Sequence, residues 1–76
     1  MASGRMPMLK TRDLIRVLRQ LGFTKTRQAG SHAFYVHPDG RATVVSIHGG
    51  EDIGRGLLRK MLRDIEILPD EFLNLL

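Results

Sequence analysis

Three histidines, at positions 32, 37 and 48, carry the side chains of this 76-residue sequence best suited to moving protons near neutral pH, and there is no cysteine to act as nucleophile or thiolate ligand. His32 follows Gly30-Ser31 and opens an apolar run, Ala33-Phe34-Tyr35-Val36, which closes on His37-Pro38-Asp39-Gly40. With an ordinary pKa of about 6.5 it can serve as general base or general acid, a role worth roughly 10²–10⁴ in rate. The competing reading is a structural histidine at the edge of an apolar sheet face, its ring nitrogens satisfied by hydrogen bonds. His37 adjoins the turn and reads as structural or exposed, and His48 precedes Gly49-Gly50. A zinc site is not expected, because His32 and His37 lie an odd number of residues apart and so face opposite sides of a strand, and no third ligand completes the set. No cofactor is expected either.

A second kind of chemistry is phosphate binding. Gly49-Gly50 and Gly54 lead into a helix carrying Arg55 and Arg59, and the free N–H groups and dipole of a helix start favour an anion. Glu51 and Asp52 place negative charge at the same spot, and the spacing matches neither a Walker loop nor a dinucleotide fingerprint. No Gly-x-Ser-x-Gly elbow occurs. With three Phe, one Tyr and no Trp, a stacking platform for single strands is not evident.

The elements that must position these groups are readable from periodicity. Leu14, Ile15, Leu18 and Leu21 mark one face of a helix over 11–21, with Arg12, Arg16 and Arg19 on another. Thr11 is the expected N-cap, and Gly22 followed by Phe23 the expected stop. Residues 23–28 read as an edge strand with Lys25 and Arg27 pointing outward. Residues 33–37 and 42–47 form a hairpin across Asp39-Gly40. If Pro38 pairs with Arg41, then His32, Phe34 and Val36 share a face with Ile47, Val45 and Thr43, and Tyr35 and Val44 lie on the other. A second helix runs to Ile65 with Leu57, Leu58, Met61, Leu62 and Ile65 buried, and a short helix starts near Pro69.

Seventy-six residues make one small α+β domain that buries only about 60% of its unfolded surface. The net charge of +4 is uneven, with a balance of +6 over residues 1–41 and −2 over 42–76. A basic half favours a polyanionic partner, nucleic acid being the commonest. No apolar run approaches the roughly 20 residues a membrane span needs. Residues 1–9 read as a disordered leader without the apolar segment of a signal peptide, residues 10–76 as the domain, and the expected setting is cytoplasmic.

Taken together, Gly30-Ser31-His32, Tyr35, His37-Pro38-Asp39-Gly40-Arg41, Ile47-His48-Gly49-Gly50 and Ile53-Gly54-Arg55-Gly56-Leu57-Leu58-Arg59 closely resemble the HicA (YcfA-like) toxin family. So do Leu21-Gly22-Phe23 near the start and Glu71-Phe72-Leu73 near the end. The resemblance implies a fold like a double-stranded RNA-binding domain, α-β-β-β-α, with a three-stranded antiparallel sheet and helices on one face. It implies an mRNA interferase, a metal-independent endoribonuclease with His32 as its catalytic histidine. It also implies neutralisation by a HicB-type antitoxin, with DNA contacted only indirectly through that complex. Lys10, Lys25, Arg27, Ser31, Arg55 and Arg59 are the expected RNA contacts. The sequence departs from the family's pattern at Ala33, Ser46 and Glu51-Asp52. A non-catalytic RNA- or protein-binding module of the same fold is the alternative.

Overall fold

A computed structural model describes residues 8–47 and 52–76. The expected leader up to residue 7, His48 and the Gly49-Gly50-Glu51 part of the expected phosphate loop lie outside the described residues. The element order is β1 (Leu9–Lys10), α1 (Thr11–Gln20), β2 (Thr24–Ala29), β3 (His32–Val36), β4 (Ala42–Ser46), β5 (Asp52–Ile53), α2 (Arg55–Ile65) and α3 (Pro69–Leu75). Strands β2, β3 and β4 form an antiparallel sheet in that order, and β1 pairs with β5. The architecture is therefore α+β, with the α-β-β-β-α order read from the sequence. The small β1–β5 ribbon was not legible there. Leu9, assigned above to the leader, pairs with Ile53 and is buried.

Helix α1 ends as its Gly-Phe signal requires. Gly22 takes φ 101°, its N–H donates to the Arg19 carbonyl at 3.0 Å, and the Phe23 N–H donates to the Leu18 carbonyl at 2.9 Å. That is the double bond of a Schellman stop, which only a residue free to take positive φ closes cheaply. The helix start differs from expectation. Lys10 occupies the N-cap position without a side-chain capping bond, and Thr11 is the first helical residue and buried. Pairing of Leu9-Lys10 with β5 holds the chain extended up to that point, which displaces the cap by one residue.

One core joins the helices to one face of the sheet. Leu14, Val17 and Leu18 of α1, Leu58, Met61, Leu62 and Ile65 of α2, Phe72 of α3 and Phe23 pack with Ala33, Tyr35 and Val45 of the sheet. Each fully buried Leu, Val or Phe here is worth about 1.5–3 kcal/mol. Leu57, expected in this stripe, is 45% exposed instead. It stands at the rim of the groove between α2 and the free edge of β4, beside Val44 and Lys60.

The hairpin register also differs, by one residue. Val36 pairs with Ala42, Tyr35 with Thr43, Phe34 with Val44, Ala33 with Val45 and His32 with Ser46. The reason is Pro38. It has no N–H to give to a ladder, so it cannot close the pair assigned to it. His37 closes the ladder instead, donating its N–H to the Arg41 carbonyl at 2.9 Å, while the Gly40 N–H donates back to His37 at 2.9 Å. Pro38-Asp39-Gly40 thus forms a three-residue loop with Gly40 at φ 100°, the common turn-plus-left-handed-residue hairpin. A one-residue slip moves side chains to the other face. Tyr35 therefore lies inside with Thr43 and Val45, and Phe34 and Val44 lie on the face opposite the helices.

Candidate functional site

The side chains on the open face of the sheet are set by three short-range features. The first is the Gly30-Ser31 turn. Ala29 pairs with His32 across only these two residues, and Gly30 has φ 59° while Ser31 does not have positive φ. Positive φ at the first central residue alone is the type II′ pattern, which takes glycine there. The Gln28 side-chain amide donates to the Gly30 carbonyl at 3.0 Å, and the Ile47 N–H donates to the Ser31 carbonyl at 2.6 Å. The turn fixes His32 as the first residue of β3.

The second feature is a bulge in β2. Lys25 pairs with Tyr35 and Arg27 with Phe34, so Thr26 is the extra residue. In a regular strand Lys25 and Arg27 share a face. The bulge separates them. Arg27 goes to the open face beside Phe34, and Lys25 goes to the helix side, where its Nζ lies 3.0 Å from Gln28 Oε1. The third feature is the hairpin loop itself. Asp39 accepts the Arg41 backbone N–H at 3.0 Å and the Arg41 Nε–H at 2.8 Å, while Arg41 donates to the Ile65 carbonyl at 2.6 Å. The Arg41 backbone N–H above all holds the Asp39 carboxyl below its ordinary pKa; desolvation opposes this, and the Arg41 guanidinium and His37 add to it. His37 packs edge-on to Phe23, their ring centroids 5.1 Å apart, so its role is structural.

The open face then carries three rows, counted across the strands. Thr24, Val36 and Ala42 form the row nearest the hairpin loop. Arg27, Phe34 and Val44 form the middle row, and Ala29, His32 and Ser46 the last. The Arg27 guanidinium carbon lies 4.5 Å from the centroid of the Phe34 ring. His32 is exposed, and its ring makes no hydrogen bond or ion pair among the described residues. It is not the satisfied core histidine of the competing reading, and the Ile47 assigned as its neighbour is replaced by Ser46.

Of the expected RNA contacts, the structure brings Arg27 to the His32 side of the sheet, and Ser31 lies in the turn directly before His32. Lys25 lies across the same edge strand on the helix side. Lys10 is held by Asp52 at 3.0 Å, an exposed pair worth little in stability but one that restricts where the ammonium goes. Arg55 begins α2. That helix and β4 each span about 16 Å; the Arg41–Ile65 and Thr43–Asp64 bonds set the end of α2 against the start of β4, while Leu57, nearer the helix start, lies beside Val44 further along the strand. The two therefore run antiparallel, which puts Arg55 at the same end of the sheet as His32, behind it. Arg59 lines a groove of about 290 Å³ with Arg63, Ile67 and Leu68, on α2 and the segment leading to α3, and does not join His32. Phe34 was missed as a surface residue. The proline in the hairpin loop was the signal that could have placed it.

No helix among the described residues is long and apolar enough to cross a membrane. Comparison with curated proteins found no match. Residues 11–67 match the family described as the HicA toxin of bacterial toxin-antitoxin. That match spans both large helices, the whole three-stranded sheet and the Gly30-Ser31-His32 turn, and the chain belongs to the HicA toxin family.

Proposed function

We propose that this toxin is an mRNA endoribonuclease in which His32 moves the proton of a metal-independent transesterification. The observation that carries the reading is the state of His32 in a chain of this family. It stands exposed at the end of the open sheet face, fixed by a tight turn, with its ring unengaged among the described residues. A general base needs that access to its substrate.

RNA supplies its own nucleophile. His32 takes the proton of a ribose 2′-hydroxyl, the 2′-oxygen attacks the adjacent phosphorus, and the bond from phosphorus to the 5′-oxygen breaks. The proton then returns to that leaving oxygen. The products are a 2′,3′-cyclic phosphate and a 5′-hydroxyl. Negative charge builds on the phosphoryl oxygens along the way, and cations nearby stabilise it. Arg27 serves from the same face and Arg55 from the same end of the molecule. Lys10, Lys25 and Arg59 extend the basic surface along the backbone. A HicB-type antitoxin neutralises the enzyme by covering His32, and DNA is reached only through that complex.

The test is cleavage of a long unstructured RNA in EDTA, with the product ends identified. Cyclic phosphate ends, and resistance of an oligonucleotide carrying 2′-deoxyribose at the cut position, are expected. Salt-dependent binding without any turnover is the result that replaces the nuclease with a binding module.

A further inference from the structure

The middle row of the open face holds a second arrangement, of which the cleavage scheme uses only the charge of Arg27. Arg27 lies over Phe34, with Cζ 4.5 Å from the ring centroid, and the β2 bulge is what sends Arg27 there while Lys25 goes to the other side. Bulges concentrate beside active sites because they re-aim a side chain in this way. Every carboxylate among the described residues lies elsewhere than in the nine positions of this face, so Arg27 meets no internal counter-ion there. The Arg27–Phe34 row is two residues along β3 from His32, roughly 6–7 Å. That is the order of one nucleotide step along an extended strand.

The chemistry at His32 makes a demand that this row meets. In-line attack needs the 2′-oxygen, the phosphorus and the 5′-oxygen aligned, and the stacked backbone of a duplex holds them out of line. The strand must therefore leave its stack at the cut. An unstacked base then needs a surface, and bases stack on both aromatic rings and Arg guanidinium planes. A guanidinium over a ring is also weakly hydrated, so little water must be removed to cover it.

We infer that Arg27 and Phe34 form a shelf on which one unpaired base stacks beside the scissile phosphate. It makes the protein select single-stranded over duplex RNA. The inference rests on the ribonuclease reading of His32 and names the form of its substrate. Arg27 and Phe34 are positioning residues: they hold the base and take no part in proton transfer.

The experiment uses an uncleavable, fully 2′-O-methylated single-stranded oligonucleotide carrying 2-aminopurine, whose fluorescence reports stacking. The wild-type protein, and equally His32→Ala, should change the 2-aminopurine signal on binding, and the duplexed oligonucleotide should not respond. Phe34→Leu keeps an apolar side chain without a π-face, and Arg27→Lys keeps the charge without the plane. Each should weaken single-strand binding roughly 5- to 150-fold, the range found for removing one stacking partner. Arg27 is exposed, so Arg27→Lys remains informative even if Phe34→Leu proves unstable. No 2-aminopurine response from the wild type overturns the shelf. So does Arg27→Lys binding like wild type while Arg27→Gln falls, because charge alone then explains the contact. Both outcomes are independent of cleavage, so an active nuclease lacking the shelf, or a shelf on a protein that cuts nothing, would each be recognised.

Discussion

Replacing His32 with alanine should separate stability from activity, and the size of each effect follows from the surroundings of the ring. The side chain is exposed, its cross-strand neighbours are Ala29 and Ser46, and nothing among the described residues hydrogen-bonds to it. Truncation removes little buried area and leaves no orphaned partner, so the stability change should stay within about 0.5 kcal/mol. For a domain of this length about 1 kcal/mol moves the melting temperature by roughly 4–8 °C, so the shift should be no more than about 2–4 °C. A satisfied, buried histidine would instead leave polar groups unpaired and cost about 1–3 kcal/mol. The rate of RNA cleavage should fall by about 10²–10⁴, the span of a single general acid–base group. That corresponds to about 3–5 kcal/mol in the barrier. Thermal melts and initial cleavage rates on one preparation give both quantities. His32→Gln, which preserves size and hydrogen bonding but carries no titratable proton, should lose as much rate as His32→Ala. A folded His32→Ala protein that cuts at the wild-type rate refutes the assignment. A melting drop well beyond 8 °C accompanying the lost activity would show that the histidine holds the fold rather than the reaction.

Three further expectations concern the scaffold. Tyr35→Ala should cost about 3–5 kcal/mol, since the ring is 2% exposed, whereas Phe34→Ala on the open face should cost about 1–2 kcal/mol; denaturant unfolding of the two distinguishes this register from its one-residue slip. Glu66 closes α2 in the left-handed region at φ 60°, with its carboxylate at the negative end of the helix. Glu66→Gly should therefore raise the melting temperature, by a stability gain of about 1 kcal/mol. Asp39 is held below its ordinary value of 3.8, chiefly by the Arg41 backbone N–H. A depressed carboxylate contributes stability above its unfolded pKa and loses it as the pH falls through the lower folded value. The advantage of wild type over Asp39→Asn should therefore be full at neutral pH and shrink only below about pH 4, which melts from pH 7 down to pH 2 would show.

The legibility of this chain divides along a physical line. Most signals complete within a few residues were read correctly. The Gly22-Phe23 stop is one, since the left-handed glycine and the following apolar contact are both local. The apolar spacing of α1 and the existence of the hairpin at Pro38-Asp39-Gly40 are others. What failed depended on partners distant in the chain: the hairpin register, the Thr11 cap displaced by the β1–β5 pairing, and Leu57, left at the rim between α2 and β4. Pairing Pro38 with Arg41 put Phe34 and Val36 on one face with Val45 and Thr43, and His32 with Ile47. The core instead takes Ala33 and Tyr35, both at most 2% exposed. The small Ala33 lies where the sheet meets the helices, and a larger residue there would push them apart. The proline already in view forbids the pair that would have put Phe34 inside.

The same logic explains why the site was half visible. His32 and its Gly-Ser turn are contiguous, so their meaning survives in one dimension. Arg27 and Phe34 meet only because one strand has an extra residue at Thr26 and its neighbour turns one residue earlier than a Pro38–Arg41 pair would make it. The bulge has no strong local signature, whereas Pro38 marks the early turn, and together they put a cation, a ring and a histidine on a face without carboxylates. A regular β2 that kept Lys25 on the helix side would carry Arg27 there too, away from Phe34. A slipped hairpin would bury Phe34 and His32 together. The departures from regular pairing are thus the features that assemble the site, and they are where reading by period alone had to fail.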